Sequence, residues 1–152
     1  MQCTKELMSI FPFWCDLTEP QKRQLESGLL YKSYRMRESI TFSGEKKDGM
    51  LIVLRGIIRV YMVSGTGREV TILIMHPGDV FNILTADCAR PGDIMPQLQA
   101  MSDAAVAYIR RAELSCLAYG CPAAANYIIE TSARNAQDIL NNINEYFFCP
   151  LR

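Results

Sequence analysis

The sequence has one histidine, His76, no pair of cysteines spaced C-x-x-C, no long apolar run and no surplus of either charge. Each absence excludes something. A metal-dependent β-roll enzyme needs two or three imidazoles and a carboxylate on its strands, which one histidine ahead of a turn proline cannot supply. The six cysteines are Cys3, Cys15, Cys88, Cys116, Cys121 and Cys149. They lack zinc-site and thioredoxin spacing. Only Cys3 and Cys15 lie near the N-terminus, too few for an iron–sulfur cluster there, so the set reads as buried inert thiols. Sixteen basic residues against sixteen acidic ones leave no basic excess of the kind that grips nucleic acid. No nucleophile elbow, P-loop or H-E-x-x-H occurs. No enzyme, metal or cofactor is therefore expected. The first residues, Met1 to Leu7, do not read as a signal peptide. No stretch approaches the ~20 apolar residues of a membrane span, so the expected location is cytoplasmic.

What is present is enough for one domain with a sizeable core: 152 residues, 49% hydrophobic. Thr18-Glu19-Pro20-Gln21 is a capping-box pattern with proline in the first turn. It predicts a short helix through about Leu30, with Leu25 and Leu29 facing inward. From Tyr31 to Ile109 short β-rich runs alternate with Gly, Pro and Asp. Strands are predicted over Ser39–Phe42, Met50–Leu54, Ile57–Val63, Val70–Met75 and Ala104–Ile109, the third and fourth forming a hairpin across Ser64-Gly65-Thr66-Gly67. Apolar residues on both faces of Ile57–Val63 predict a buried middle strand. Many short strands with frequent turns indicate a jelly roll or barrel.

Helix resumes at Arg111 and breaks at Gly120-Cys121-Pro122. From residue 123 to about 148 no Gly or Pro intervenes, a rod of about 39 Å. Ala125, Ile129, Ser132, Ala136, Ile139, Ile143 and Tyr146 step by four and three, the repeat of a two-stranded coiled coil, and predict a homodimer interface. A second stripe, Ile128, Leu140 and Phe147, is expected to pack on the chain's own barrel. The alternative is one broad core-facing stripe.

Phe42-Ser43-Gly44-Glu45, the stretch Met50–Tyr61 with Gly56-Ile57-Ile58-Arg59-Val60, Gly67-Arg68-Glu69 and Pro77-Gly78-Asp79-Val80-Phe81 resemble, in order and spacing, the cyclic-nucleotide-binding-domain signature. One departure is Arg37-Glu38, where that family usually has a turn glycine. The long helix directly after the barrel, and an ending similar to a hinge at Phe147–Arg152, resemble the front half of bacterial Crp/Fnr-type transcription regulators. The resemblance implies a mostly β fold with helices. It is an eight-stranded, double-stranded β-helix jelly roll, with short N-terminal helices and a long C-terminal helix. It implies an effector-sensing unit over residues 1–120. A dimerisation helix would follow over 121–152, with the start of a hinge to a DNA-binding helix-turn-helix domain absent from this chain. The natural protein would then be about 200–240 residues long. A stand-alone ligand-binding or protein-interaction module of the same type is the other reading.

Relatives that bind cyclic AMP use a glutamate for the ribose, an arginine for the phosphate and a polar pair on the long helix for the base. Those positions fall on Ile83, Ile94 and Ile139-Leu140. Burying a phosphate without a paired cation is heavily penalised, so a response to cyclic AMP is not expected. Relatives that bind haem place a histidine after the P-G-D turn, whereas His76 precedes it and reads as a surface turn residue. The candidate effector pocket is Phe81, Asn82, Ile83, Leu84, Arg90, Ile94, Met95, Gln97, Ile139 and Leu140. Either filled core or a site for an unknown apolar or aromatic small molecule fits this composition.

Overall fold

Strands β2 (Gly49–Arg55) and β7 (Ala104–Arg110) form the centre of the molecule, and both are apolar on both faces. In β2, Leu51 and Val53 point into one cluster while Met50 and Ile52 point into another. In β7, Val106 and Tyr108 alternate in the same way with Ala107 and Ile109. That period-two alternation between two cores explains why these strands read as continuous hydrophobic runs.

The computed structural model describes residues 2–41, 49–83, 90–92 and 94–148, without the side chains of residues 2–4 and 83. Helix α1 (Gln2–Ile10), a 3₁₀ turn (Trp14–Asp16) and α2 (Glu19–Gly28) come first, followed by β1 (Leu29–Tyr34) and β2. Next are β3 (Ile58–Val63), β4 (Glu69–Met75), β5 (Val80–Ile83), β6 (Gln97–Ala100) and β7. The chain ends in α3 (Arg111–Gly120) and α4 (Pro122–Phe148). Four strands pair in the order β1-β7-β2-β5 and three in the order β4-β3-β6. Every pairing is antiparallel. The first core lies between the two sheets. The second lies between the four-stranded sheet and the helices, where Leu7, Phe11, Trp14, Leu25, Leu114 and Leu117 meet Met50 and Ile52. This is the expected jelly roll. Among the described residues it shows seven strands, plus an isolated bridge from Ser39 to Gln99 where a strand over Ser39–Phe42 was expected.

The turn motifs have the physical roles that their residues suggest. Thr18 caps α2: its hydroxyl accepts from Gln21 N, and the Gln21 side chain accepts from Thr18 N. Gly56 ends β2 with φ 83°, and a Cβ there would sit 2.3 Å from Asp103 O. Gly78 N donates to Val53 O and Val53 N donates to Asp79 O, so the Pro77-Gly78-Asp79 turn is tied to β2.

Three expectations need correction. Strand β3 is not sandwiched: Ile58 and Val60 face the core, while Arg59 lies on the outer face over the Tyr61 ring, 4.1 Å from its centroid. There Arg59 donates to Gln99, Thr71 and Glu69, which accounts for its partial burial. The cysteines are not uniformly buried, since Cys15 and Cys116 are exposed and Cys121 is buried. Leu140 and Phe147 do not pack on the roll; they are 59% and 64% exposed.

Candidate functional site

Helix α4 lies across β4 and β5, one outer strand from each sheet. Its inner face is Ala124, Ile128, Thr131, Asn135, Ile139 and Asn142, a repeat of about 3.6 residues. Ala124 and Ile128 pack on the second core and Ile139 on the first. Tyr127 fills the gap beneath α1. Its ring is 5.2 Å from Phe13 and 6.2 Å from Phe11, and its hydroxyl donates to Ile10 O at 3.3 Å. Burial pushes the Tyr127 phenol above its ordinary pKa.

The polar positions on that face reach strand backbone. Asn135, the buried polar residue among the described residues, donates from Nδ2 to Val80 O at 2.8 Å and accepts at Oδ1 from Asn82 N at 3.0 Å. Asn82 answers from the strand, with Nδ2 2.5 Å from Thr131 Oγ1, 3.0 Å from Ser132 Oγ and 3.3 Å from Ile128 O. Asn142 donates to Ile72 O on β4 at 2.8 Å.

The candidate pocket residues separate into groups. Phe81 is buried in the first core, and Ile139 packs against that core from the helix. Met95 and Gln97 are half-buried, and Gln97 pairs with Tyr61 in β6. Arg90 is exposed, Ile94 is 65% exposed and Leu140 is 59% exposed. Asn82 faces α4. Ile83 closes β5 opposite Gly49, and its side chain, like Leu84, lies outside the described residues. So do Phe42–Glu45, Cys88, Ala89, Asp93 and Cys149–Arg152.

Among the described residues the first core carries no cation. Its polar atoms are phenols: Tyr34 donates to Thr41 O at 3.2 Å, and burial raises its pKa above the ordinary value. Such an interior favours apolar or aromatic groups over an anion. Beside α4 an open cleft of about 260 Å³ is lined by Gly78, Asp79, Tyr127, Arg134 and Asn135, among others.

Of the predicted seam residues, Ser132 bonds to Asn82 and Ile139 packs on the roll. Ile129 and Tyr146 are 66% and 60% exposed, Ala136 is exposed, and Ala125 and Ile143 are half-buried. The outward apolar stripe of α4 runs Ile129, Ala133, Ala136, Leu140, Ile143 and Phe147. Sequence reasoning missed Asn135 and Asn142. The signal was two amides seven residues apart on a helix whose neighbouring stripes are apolar.

Residues 31–118 match the family model described as the cyclic nucleotide-binding domain. A transcriptional regulator assigned to the Crp/Fnr family from Eubacterium rectale ATCC 33656 superposes with a TM-score of 0.78 at 25% identity, over 93% of this chain and 66% of that one. A CooA mutant from Carboxydothermus hydrogenoformans gives 0.63 at 19% identity, covering 88% and 84%. FixK2 from Bradyrhizobium japonicum gives 0.61 at 21%, covering 76% and 56%. The chain thus spans just under two thirds of the first and little over half of the last. A search of curated proteins found no match.

Proposed function

Because the chain belongs to the cyclic nucleotide-binding domain family, we propose that it is the effector-sensing and dimerising part of a Crp/Fnr-type transcription regulator, with an effector other than cyclic AMP. Residues 1–120 form the sensing unit and residues 121–152 the dimerisation helix with the start of a hinge. The observation that carries the reading is α4. It is a 27-residue helix that follows α3 after one non-helical residue. It anchors one face to the roll and leaves an apolar stripe outward.

The structure supports a seam offset from the one read in the sequence: Ile129, Ala133, Ala136, Leu140, Ile143 and Phe147 step by four and three, as a paired helix requires. An effector among Phe81, Met95 and Ile139 would shift the balance between two packings of the helix pair, and so the position of whatever α4 carries. DNA contact belongs to a further domain. Aliphatic residues at 83, 94, 139 and 140 support the loss of cyclic nucleotides.

Calorimetry with cyclic AMP and cyclic GMP tests this loss, with no saturable heat expected and micromolar binding overturning it. Native mass spectrometry of the chain as purified tests for an effector. The expected result is a dimer mass, with any retained small molecule apolar or aromatic.

A further inference from the structure

We propose that Asn135 is a positioning residue that completes the free edge of β5 and so locks the strand leading into the candidate effector segment to the long helix. Among the described residues β5 is the last strand of its sheet and pairs on one side, to β2. A free strand edge must find partners for its N–H and C=O groups. Here the partner is a side chain. The Asn135 amide takes Val80 O and Asn82 N, the acceptor and donor flanking Phe81, which the N–H and C=O of a neighbouring strand residue would otherwise fill. Only one orientation of the amide satisfies both groups. The link is reciprocal, because the Asn82 side chain returns to the helix at Thr131, Ser132 and Ile128 O.

This arrangement transmits movement in a way that apolar packing does not. Side chains in an apolar contact can slide by fractions of an ångström at little cost, whereas a two-point amide bond to a strand edge is either made or broken. Phe81, between the two bonded residues, is the β5 side chain in the first core among the described residues. A change around Phe81 that shifts β5 must therefore carry α4 with it or release Asn135. This consequence rests on the sensing role proposed above; the lock itself rests on geometry alone.

Site-resolved amide hydrogen exchange on the 152-residue chain without ligand tests it. In the wild type, the Asn82 amide and those of Thr131–Ile139 are expected to exchange through one opening with a common denaturant dependence. A separate, easier opening at Asn82 would overturn the lock without any variant. In Asn135→Ala, the Asn82 amide is expected to exchange about 10- to 100-fold faster, as for one lost buried hydrogen bond, with Val60 on β3 within about 3-fold of wild type. Unchanged protection at Asn82 would refute the proposal, as would an equal loss at Val60, which reports general destabilisation. Asn135→Asp keeps the acceptor for Asn82 N, so protection there should return toward wild type. These measurements need no effector. Failure to find one would sink the sensing role and leave the lock standing.

Discussion

Arg37 sits at φ 73°, a left-handed conformation that costs an L-residue about 1–2 kcal/mol. Its backbone is held there by Arg37 N to Ala100 O and by Gln99 Nε2 to Arg37 O. The family resemblance expects glycine at this turn, and the dihedral explains why. Replacing Arg37 with glycine removes the strain and adds about 0.5–1 kcal/mol of unfolded-state entropy. Arg37→Gly is therefore expected to stabilise by about 0.5–1 kcal/mol, read as a higher urea midpoint at unchanged slope. Tyr127 gives a pH dependence. Its folded pKa is raised from 10.0 by burial, so the phenol contributes full stability below pH 10 and loses it as pH rises through the folded value. Tyr127→Phe should cost no more than about 1 kcal/mol near neutrality and flatten the loss of stability above pH 10. Denaturation at both pH values checks it. Turn glycines such as Gly56 and Gly78 were legible from sequence because only backbone freedom explains them. Asn135 was not, because a buried amide looks the same in sequence as an exposed one until its strand partner is known.

At the scale of elements, length was easier to read than face. The capping box located α2 to within a residue at its start, and Thr18→Ala should cost about 1 kcal/mol by thermal or urea unfolding. The strands β5 and β6, four residues each, are too short to show a period. The roll-facing stripe of α4 was misread for a related reason: Leu140 and Phe147 were expected there and are exposed. A 3.5-residue repeat fits two stripes that share Ile129, Ala136 and Ile143 and differ by one residue at the alternate positions, and only the position of the roll shows which of those are covered. Ile139 is covered and Leu140 is open. Adjacent substitutions should then behave differently. Leu140→Asp, alone or with Ile129→Asp, is expected to give a folded monomer by light scattering. Ile139→Asp is expected to lower stability by about 1–3 kcal/mol through a half-buried, unpaired carboxylate against the first core.

For the whole molecule, the two-core arrangement was legible only in part. Apolar alternation identified strands, but which strand is sandwiched depends on where the N-terminal helices fold back. They cover β2 and β7, not β3, and Arg59 with Tyr61 shields β3 instead. A paired α4 also makes stability depend on concentration. Raising the protein concentration should raise Tm for the wild type, and Leu140→Asp should abolish that dependence.

Cys121 stands alone between α3 and α4, the single residue there outside either helix. It is bonded on both sides, from Cys121 N to Leu117 O and from Ala125 N to Cys121 O. The rod therefore has no slack at its root, and Asn135 and Asn142 tie it to β5 and β4 further along. With 27 residues beyond it, about 40 Å at 1.5 Å per residue, a swing of about 5° at the root would carry Asn135 by about 1.8 Å and the far tip by about 3.5 Å. A tilt of that size therefore reaches Phe148 only by carrying β5 and β4 with it or by releasing the bonds at Asn135 and Asn142.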